Sequence, residues 1–220
     1  MSSKQSLEGK VRAVGRGGDA VVETPNGIVM VPGALPGERI ELAPAGSKRG
    51  ASRGRLTRVL EPSPERRAPP CEVTAKCGGC PLMIASPALQ EQIKRGFLRD
   101  ACRGLPGGDE IDIEWVESPD ELGYRRRARL AWHGDTIGYR QLHSKRVNAI
   151  EKCIVLAAPL RDAWNELRAE LESSLRGAGE IQLQRSGDDK VLVALHAQSE
   201  QRPELFAACA ALSERPVISG

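Results

Sequence analysis

Long hydrophobic runs are absent from this 220-residue sequence. A membrane-spanning helix needs roughly 20 consecutive apolar residues, and no segment approaches that length. The N-terminal stretch Met1–Ser6 is polar and lacks the apolar centre of a secretion signal. Both absences argue against a membrane span and against export, so we expect a cytoplasmic protein that does not associate with membranes.

Aromatic and histidine side chains are also scarce, with two Phe, two Tyr, three Trp and three His. His133, His143 and His196 do not stand at a spacing typical of a metal site. Tyr124 and Tyr139 each flank basic residues, where they could stack on bases or simply pack in the core. Few residues other than charged ones and cysteines therefore remain as candidates for a functional site.

The net charge of +3 is small, but the charge is distributed unevenly along the chain. Residues 1–60 hold ten Lys and Arg against five Asp and Glu, whereas residues 154–220 hold seven against ten. Two basic runs stand out, and such runs bind polyanions through phosphate contacts or simply form a solvated face. The residues we predict to contact nucleic acid are Lys48, Arg49, Arg53, Arg55, Arg58, Tyr124, Arg125, Arg126 and Arg127.

The first 60 residues predict a small β-barrel. Short alternating segments at 7–14, 20–23, 28–31, 39–42 and 54–60 are separated by glycine-rich turns, and Asn26-Gly27 is a strong hairpin signal. Closing such short strands into a barrel lets them bury their apolar faces. Residues 61–70 contain four prolines, which disfavour helix and strand. We therefore predict a linker and a domain boundary there.

Residues 71–220 predict a mixed domain, so the whole chain belongs to the α+β class. Ser86-Pro87 begins a helix, and the leucines from Leu160 to Leu175 mark a second amphipathic helix. A third helix is expected over 202–214. The predicted strands form an antiparallel sheet, and they lie at 111–116, 122–133, 136–142, 147–153, 181–185 and 191–197.

Cysteine spacing is the sharpest chemical signal. Cys71, Cys77 and Cys80 lie within ten residues, with two glycines between the last pair. Thiolates at this spacing hold either an iron–sulfur cluster or zinc, although unligated thiols or a disulfide would also fit. A fourth ligand would come from Cys102, Cys153 or Cys209, and spacing alone does not decide among them. Cys102 and Cys209 fall in predicted helices, where they resemble small core residues.

The sequence resembles the uracil-C5 RNA methyltransferases that modify ribosomal and transfer RNA. The opening segments Gly9–Gly15, Gly27–Gly33 and Pro36-Gly37-Glu38 are similar to a TRAM domain, an OB-like RNA-binding barrel. The Cys71…Cys77-Gly-Gly-Cys80 loop resembles the family's iron–sulfur segment, as do Gly138-Tyr139-Arg140 and Glu151-Lys152-Cys153. The resemblance implies a TRAM domain over 1–60, a linker over 61–70 and a cluster domain, incomplete at its C-terminus, over 71–220.

The resemblance also implies a 4Fe-4S cluster held by Cys71, Cys77, Cys80 and Cys153. It implies an RNA substrate, rRNA or tRNA, and S-adenosylmethionine as the methyl donor of a complete family protein. The family's methyl-donor loop and nucleophilic cysteine are not recognisable in these 220 residues. We therefore expect a monomer that binds RNA, is not catalytic alone, and works with a missing or separate methyltransferase domain. The alternatives are an iron–sulfur electron-transfer protein and a zinc-stapled RNA-binding module.

Overall fold

The structure is a computed structural model that describes residues 6–48 and 50–219. The chain divides into two compact units. The first comprises Met1–Ala75 and Cys80–Val116, and the second comprises Lys76–Gly79 and Glu117–Gly220. The proline-rich segment 61–70 lies within the first unit, and the domain boundary predicted there remains a prediction.

Five strands of the first unit form the expected closed barrel. The spatial order is β1-β2-β3-β5-β4, in which only β3 and β5 pair in parallel. The strands are β1 (Leu7–Val14), β2 (Asp19–Thr24), β3 (Gly27–Pro32), β4 (Arg39–Lys48) and β5 (Ala51–Glu61). The barrel closes because one side of each strand is apolar, and these side chains form a common core around Val11, Val22, Val31, Ile40 and Leu42.

The Asn26-Gly27 hairpin forms as predicted. Thr24 pairs with Gly27 at the end of the β2–β3 ladder, and Gly27 has a φ of +105° that favours glycine. The Thr24 hydroxyl closes the turn by donating to the Gly27 carbonyl over 2.8 Å. The turn therefore sets the register that places Val22 and Val29 opposite each other.

A buried ion pair fixes the proline-rich segment within the first unit. The fully buried Glu38 carboxylate accepts two hydrogen bonds from Arg66, at 2.6 and 2.8 Å. Backbone amides of Leu35 and Ser63 donate to the same carboxylate at 2.8 and 3.2 Å. Burial raises the pKa of Glu38, but these donors and the Arg66 charge outweigh it, so the net pKa is lowered.

The predicted first helix is α1 (Pro87–Cys102), and it begins as expected. Ser86 caps it by accepting a hydrogen bond from the Leu89 amide over 3.1 Å. Leu89 and Ile93 pack with Val14 of the barrel in a second core cluster.

The strand predicted at 111–116 is wrong, because this segment has no regular structure. The Arg95 guanidinium donates to the Ile113 carbonyl and also lies 5.8 Å from the Trp115 ring. These contacts hold the segment against α1. Ile113 and Trp115 are therefore half-buried between exposed neighbours, although the segment pairs with no strand.

The second unit is a five-stranded antiparallel sheet with two helices, α2 (Ala158–Leu171) and α3 (Pro203–Ser213). Its strand order is β10-β9-β6-β7-β8. The strands are β6 (Arg127–His133), β7 (Thr136–Arg140), β8 (Val147–Ala149), β9 (Ala178–Arg185) and β10 (Val191–Ala197). The first predicted hairpin is thus shorter than expected at its outer ends. No helix among the described residues is both long and apolar enough to cross a membrane.

Burial differs between the two sets of alternating side chains in this sheet. One set is fully buried and includes Leu130, Trp132, Ile181 and Leu183. Helix α2 of the same unit contributes further buried side chains, namely several leucines and Trp164. In the other set Ala131 and Gly138 are buried as well, but the remaining side chains are solvent-accessible, and we call this accessible group the open face. It comprises Arg127, Arg129 and His133 of β6, Arg140 of β7, Glu180, Gln182 and Gln184 of β9, and Leu192, Ala194 and His196 of β10.

Candidate cysteine site and basic surfaces

Two of the four predicted cluster ligands belong to the first unit. Cys71 and Cys80 are half-buried, lie in or beside turns and form no disulfide. The Thr74 hydroxyl donates to the Cys71 carbonyl over 2.7 Å, and the Met83 amide donates to the Cys80 carbonyl over 3.1 Å. These local bonds satisfy the backbone carbonyls of the two cysteines.

Cys77 and the two following glycines belong to the second unit. Cys77 forms an isolated antiparallel bridge with Gln141, and the Gly78 amide donates to the Arg140 carbonyl over 3.2 Å. A Cβ on Gly78 would lie 3.2 Å from the Leu142 backbone, so only glycine fits here without displacement. The Gly79 amide donates to the Cys77 sulfur over 3.4 Å, as expected of amides that curl around a thiolate ligand.

Tyr139 lies near both Cys77 and Cys153, which are far apart in the sequence. Its buried hydroxyl forms no hydrogen bond of normal geometry with the described residues. Burial raises the pKa of Tyr139, and the neighbouring Cys153 and Cys77 raise it further, whereas the Arg125 charge opposes them. Sequence spacing left the fourth ligand open among three cysteines, and within the second unit Cys153 lies close to this phenol.

Cysteine thiolates are the donors that an iron–sulfur cluster or zinc takes, so the chemistry of the four cysteines fits such a centre. All four are half-buried and form no disulfide, and the guanidinium of Arg125 near Tyr139 would favour an anionic group. Within residues 6–48 and 50–219, no three His, Cys, Asp or Glu side chains are arranged to hold a metal ion. The 4Fe-4S cluster and its ligand set therefore stay predictions.

The barrel residues predicted to contact RNA differ in their surroundings. Lys48 and Arg55 are exposed at the end of β4 and on β5, and Arg49 lies outside the described residues. Arg53 forms an ion pair with the buried Asp19, and Arg58 lies 3.4 Å from Glu41. Arg53 is thus partly neutralised within the barrel, whereas Lys48 and Arg55 project into solvent.

The second basic run is divided by the fold. Tyr124, Arg126 and Arg127 are exposed, with Arg127 at the start of β6. Arg125 is half-buried, and its backbone bonds to Val155 and Ala157 at 2.8 and 3.0 Å. Because its charge acts on Tyr139, Arg125 belongs with the cysteines of this unit rather than with an exposed RNA-contacting surface.

The open face was missed as a functional surface by the sequence interpretation. Its members lie on four strands and do not form a run in the sequence. The available signal was the alternation of polar positions, with Arg127 and Arg129 two residues apart in β6 and Gln182 and Gln184 two apart in β9. The pairing of β6 with β9 brings these four together.

The fold and the cysteines define a class of proteins with a closed five-stranded barrel in one unit, a five-stranded antiparallel sheet in another, and a cysteine-rich segment divided between the two units. The same fold occurs in a Pyrococcus abyssi tRNA (uracil-54, C5)-methyltransferase solved with S-adenosyl-L-homocysteine, at a TM-score of 0.60 and 21% identity. That likeness covers 90% of this chain and 48% of the other.

Sequence comparison leads to particular relatives, all named 23S rRNA (uracil(1939)-C(5))-methyltransferase RlmD. The Shewanella amazonensis protein is 37% identical over 79% of this chain and 40% of its own length. The Erwinia tasmaniensis protein is 31% identical over 94% of this chain and 50% of its own length. The chain thus spans about half or less of these curated relatives, and no family model matches it. These relatives support the resemblance to uracil-C5 RNA methyltransferases.

Proposed function

We propose that this chain is the RNA-binding and cluster-bearing portion of an S-adenosylmethionine-dependent RNA uracil-C5 methyltransferase. The observation that carries the proposal is the 31% identity to a 23S rRNA methyltransferase over 94% of the chain. The agreement in fold with a tRNA methyltransferase supports the same architecture. In this proposal the substrate is rRNA or tRNA.

The barrel serves in this proposal as a TRAM-like, OB-like RNA-binding domain. Its exposed Lys48 and Arg55 are positioned to neutralise phosphates. The Asp19–Arg53 and Glu38–Arg66 ion pairs serve a different purpose, because buried partners hold these arginines in the structure. Binding through exposed cations alone would be sequence-independent, so selectivity has to come from a second surface.

The four cysteines hold a 4Fe-4S cluster in this proposal, with Cys71, Cys77, Cys80 and Cys153 as ligands. Such a cluster, when bound, would tie the Cys77 loop to the distant Cys153 segment. Gly78 and Gly79 allow close backbone approach, and the Gly79 amide donates to the Cys77 sulfur. The unpartnered Tyr139 hydroxyl near Cys153 offers a further donor to sulfur.

The family reaction needs a cysteine thiolate that adds to uracil C6 and a base that removes the C5 proton after methyl transfer. A uracil within folded RNA must be turned out of its stack for this chemistry. The proposed role of this chain is to bind and shape the RNA, while a methyltransferase domain supplies the nucleophile and the methyl donor.

RNA binding and methyl transfer can be measured on the same preparation. We expect the purified chain to bind a fluorescent rRNA or tRNA stem-loop, with affinity that falls as salt rises. We expect no transfer of labelled methyl groups from S-adenosylmethionine to that RNA. Failure to bind any rRNA or tRNA fragment would overturn the RNA-binding proposal, and methyl transfer to uridine would overturn the division of roles.

The ligand set is tested by metal analysis of anaerobically purified protein. We expect iron, sulfide and a broad absorbance near about 400 nm. Cys153→Ser should abolish the iron, the sulfide and the absorbance. Cys102→Ser is the matched control and should retain all three. Zinc without iron would favour a zinc-stapled module, and a cluster lost in Cys102→Ser but kept in Cys153→Ser would refute the ligand assignment.

A further inference from the structure

The open face is organised into cross-strand rows. Arg127 pairs with Gln184, which pairs with Leu192, and these three side chains form one row. The next row consists of Arg129, Gln182 and Ala194. The two rows line a shallow groove of about 710 Å³. Each row therefore presents a cation on β6, an amide on β9 and an apolar side chain on β10.

A recess of about 250 Å³ adjoins the groove in the same unit. Arg129 lines both depressions, so they lie on either side of this residue. Arg140, His143 and Glu180 line the recess, and Gly78 and Gly79 form its wall. The absence of Cβ atoms at these glycines leaves the backbone of the Cys77 loop directly accessible from the recess.

The charge of this surface favours an anionic occupant. Arg127, Arg129 and Arg140 are opposed by one carboxylate, Glu180. Glu180 is shared between Arg129 at 3.4 Å and Arg140 at 3.2 Å. Because one carboxylate cannot neutralise two guanidinium groups, a net positive charge remains along the groove and the recess.

We propose that the open face binds a single-stranded segment of the RNA, with its backbone along β6 and its bases over β9 and β10. The inference deepens the proposed function and rests on it. Arginines neutralise the phosphates, the Gln182 and Gln184 amides can donate to and accept from base edges, and Leu192 offers an apolar contact. The exposed Leu192, solvent-accessible over 47% of its surface, gains a partner in this arrangement.

A single strand fits this surface better than a duplex. The groove is lined by side chains of three paired strands, β6, β9 and β10, and the deep major groove of an RNA duplex excludes such side chains. Splayed nucleotides can instead lie flat on a sheet and expose their base edges to it. The same segment would place a nucleotide in the recess beside Gly78 and Gly79.

The proposal is tested with the full chain and a labelled single-stranded RNA of about 12 nucleotides. The variant is Arg127→Gln with Arg129→Gln, and the matched control is Arg202→Gln with Arg161→Gln, which removes two arginines from the helical side of the unit. Losing two phosphate contacts should lower affinity about tenfold near 0.1 M salt and make the salt slope less negative by about 1.4. The control should bind as the unchanged protein does.

A second measurement covers the case in which the double variant fails to fold. RNA containing 4-thiouridine is cross-linked to the unchanged protein, and the adducts are mapped. Adducts on β6, β9 and β10 support the proposal. Adducts confined to the barrel overturn it, as does unaltered affinity and salt slope in the double variant.

The outcomes separate this inference from the proposed function. If the unchanged chain binds no RNA at all, both fail together. If it binds RNA but tolerates the Arg127→Gln, Arg129→Gln change, only the open-face assignment fails. Tighter binding to an RNA duplex than to the single strand, or capture of a protein at these residues, would also overturn the assignment.

Discussion

At the scale of single residues, the Glu38–Arg66 pair shows how a buried carboxylate can hold the proline-rich segment 61–70 in place. A carboxylate removed from water is costly unless donors surround it. Here both oxygens are engaged, by the Arg66 fork and by two backbone amides. The ion pair therefore depends on all its partners and should be sensitive to conservative changes.

Glu38→Gln should lower the free energy of unfolding by roughly 3 kcal/mol, because it leaves the Arg66 charge without its partner. Since the pKa of Glu38 is lowered from 4.5 by folding, its stabilising contribution is present above about pH 4.5 and is lost as the pH falls through the lower folded pKa. Urea denaturation at pH 7 and at acid pH should show the difference between the two proteins shrinking on acidification. Glu61→Gln, at an exposed pair with Arg39, is the control and should change little. A difference that grows on acidification would contradict this account.

Tyr139 offers a second test at this scale. A buried hydroxyl without a partner costs roughly 1–3 kcal/mol, so Tyr139→Phe should keep or raise the thermal stability of the metal-free protein. The measurement is the melting temperature after iron chelation, compared with the unchanged protein. Clear destabilisation would show that the hydroxyl has a partner in the metal-free state.

At the scale of elements, β8 is held to the sheet by close backbone approach at a glycine. Gly138 of β7 pairs with Ala149, and a Cβ on it would overlap the Asn148 carbonyl. This contact brings β8 against β7 and so orders the chain just before Cys153. The glycine is required because any side chain here would collide with backbone rather than with a movable group.

Gly138→Ala should therefore destabilise the second unit by about 2 kcal/mol or more. Hydrogen exchange should increase in β7 and β8 before it increases elsewhere. Gly187→Ala is a matched control in the β9–β10 turn, because a Cβ there meets nothing within 4 Å. Equal destabilisation by both alanines would contradict this account, because the lower unfolded-chain entropy of alanine by itself stabilises the folded protein.

At the scale of the whole molecule, the two compact units have separate sets of buried residues. The first contains the barrel core around Val22 and Ile40, and the second contains the core around Trp132 and Leu167. Units with separate cores can unfold separately. We expect calorimetry to show unfolding that departs from a single two-state transition. Glu38→Gln should lower the melting temperature of one component, and Gly138→Ala that of the other. A single two-state transition lowered by both variants would show that the units unfold together.

The barrel, the helices and the cysteine candidates could be predicted from local sequence signals. Alternation, the Asn26-Gly27 turn and the Ser86-Pro87 helix start act over a few residues, and each forms as expected. The segment 111–116 was wrongly predicted as a strand because its contacts, to Arg95 of α1, come from outside the segment. The predicted ends of β6 and β8 were also wrong. These strands end where their pairing partners end, and the strand propensity of their own residues does not decide it.

The amino-acid sequence by itself determined the local elements, the cysteine spacing and the resemblance to RNA methyltransferases, because these depend on residues close along the chain. Only the tertiary structure placed Cys77 and Cys153 about Tyr139, turned Arg125 toward them and Arg53 toward Asp19, and assembled the open face. These arrangements depend on strand order and register between segments far apart in the sequence, such as β6 and β9. Side chains that act together in this protein are therefore neighbours across strands, which local sequence patterns do not specify.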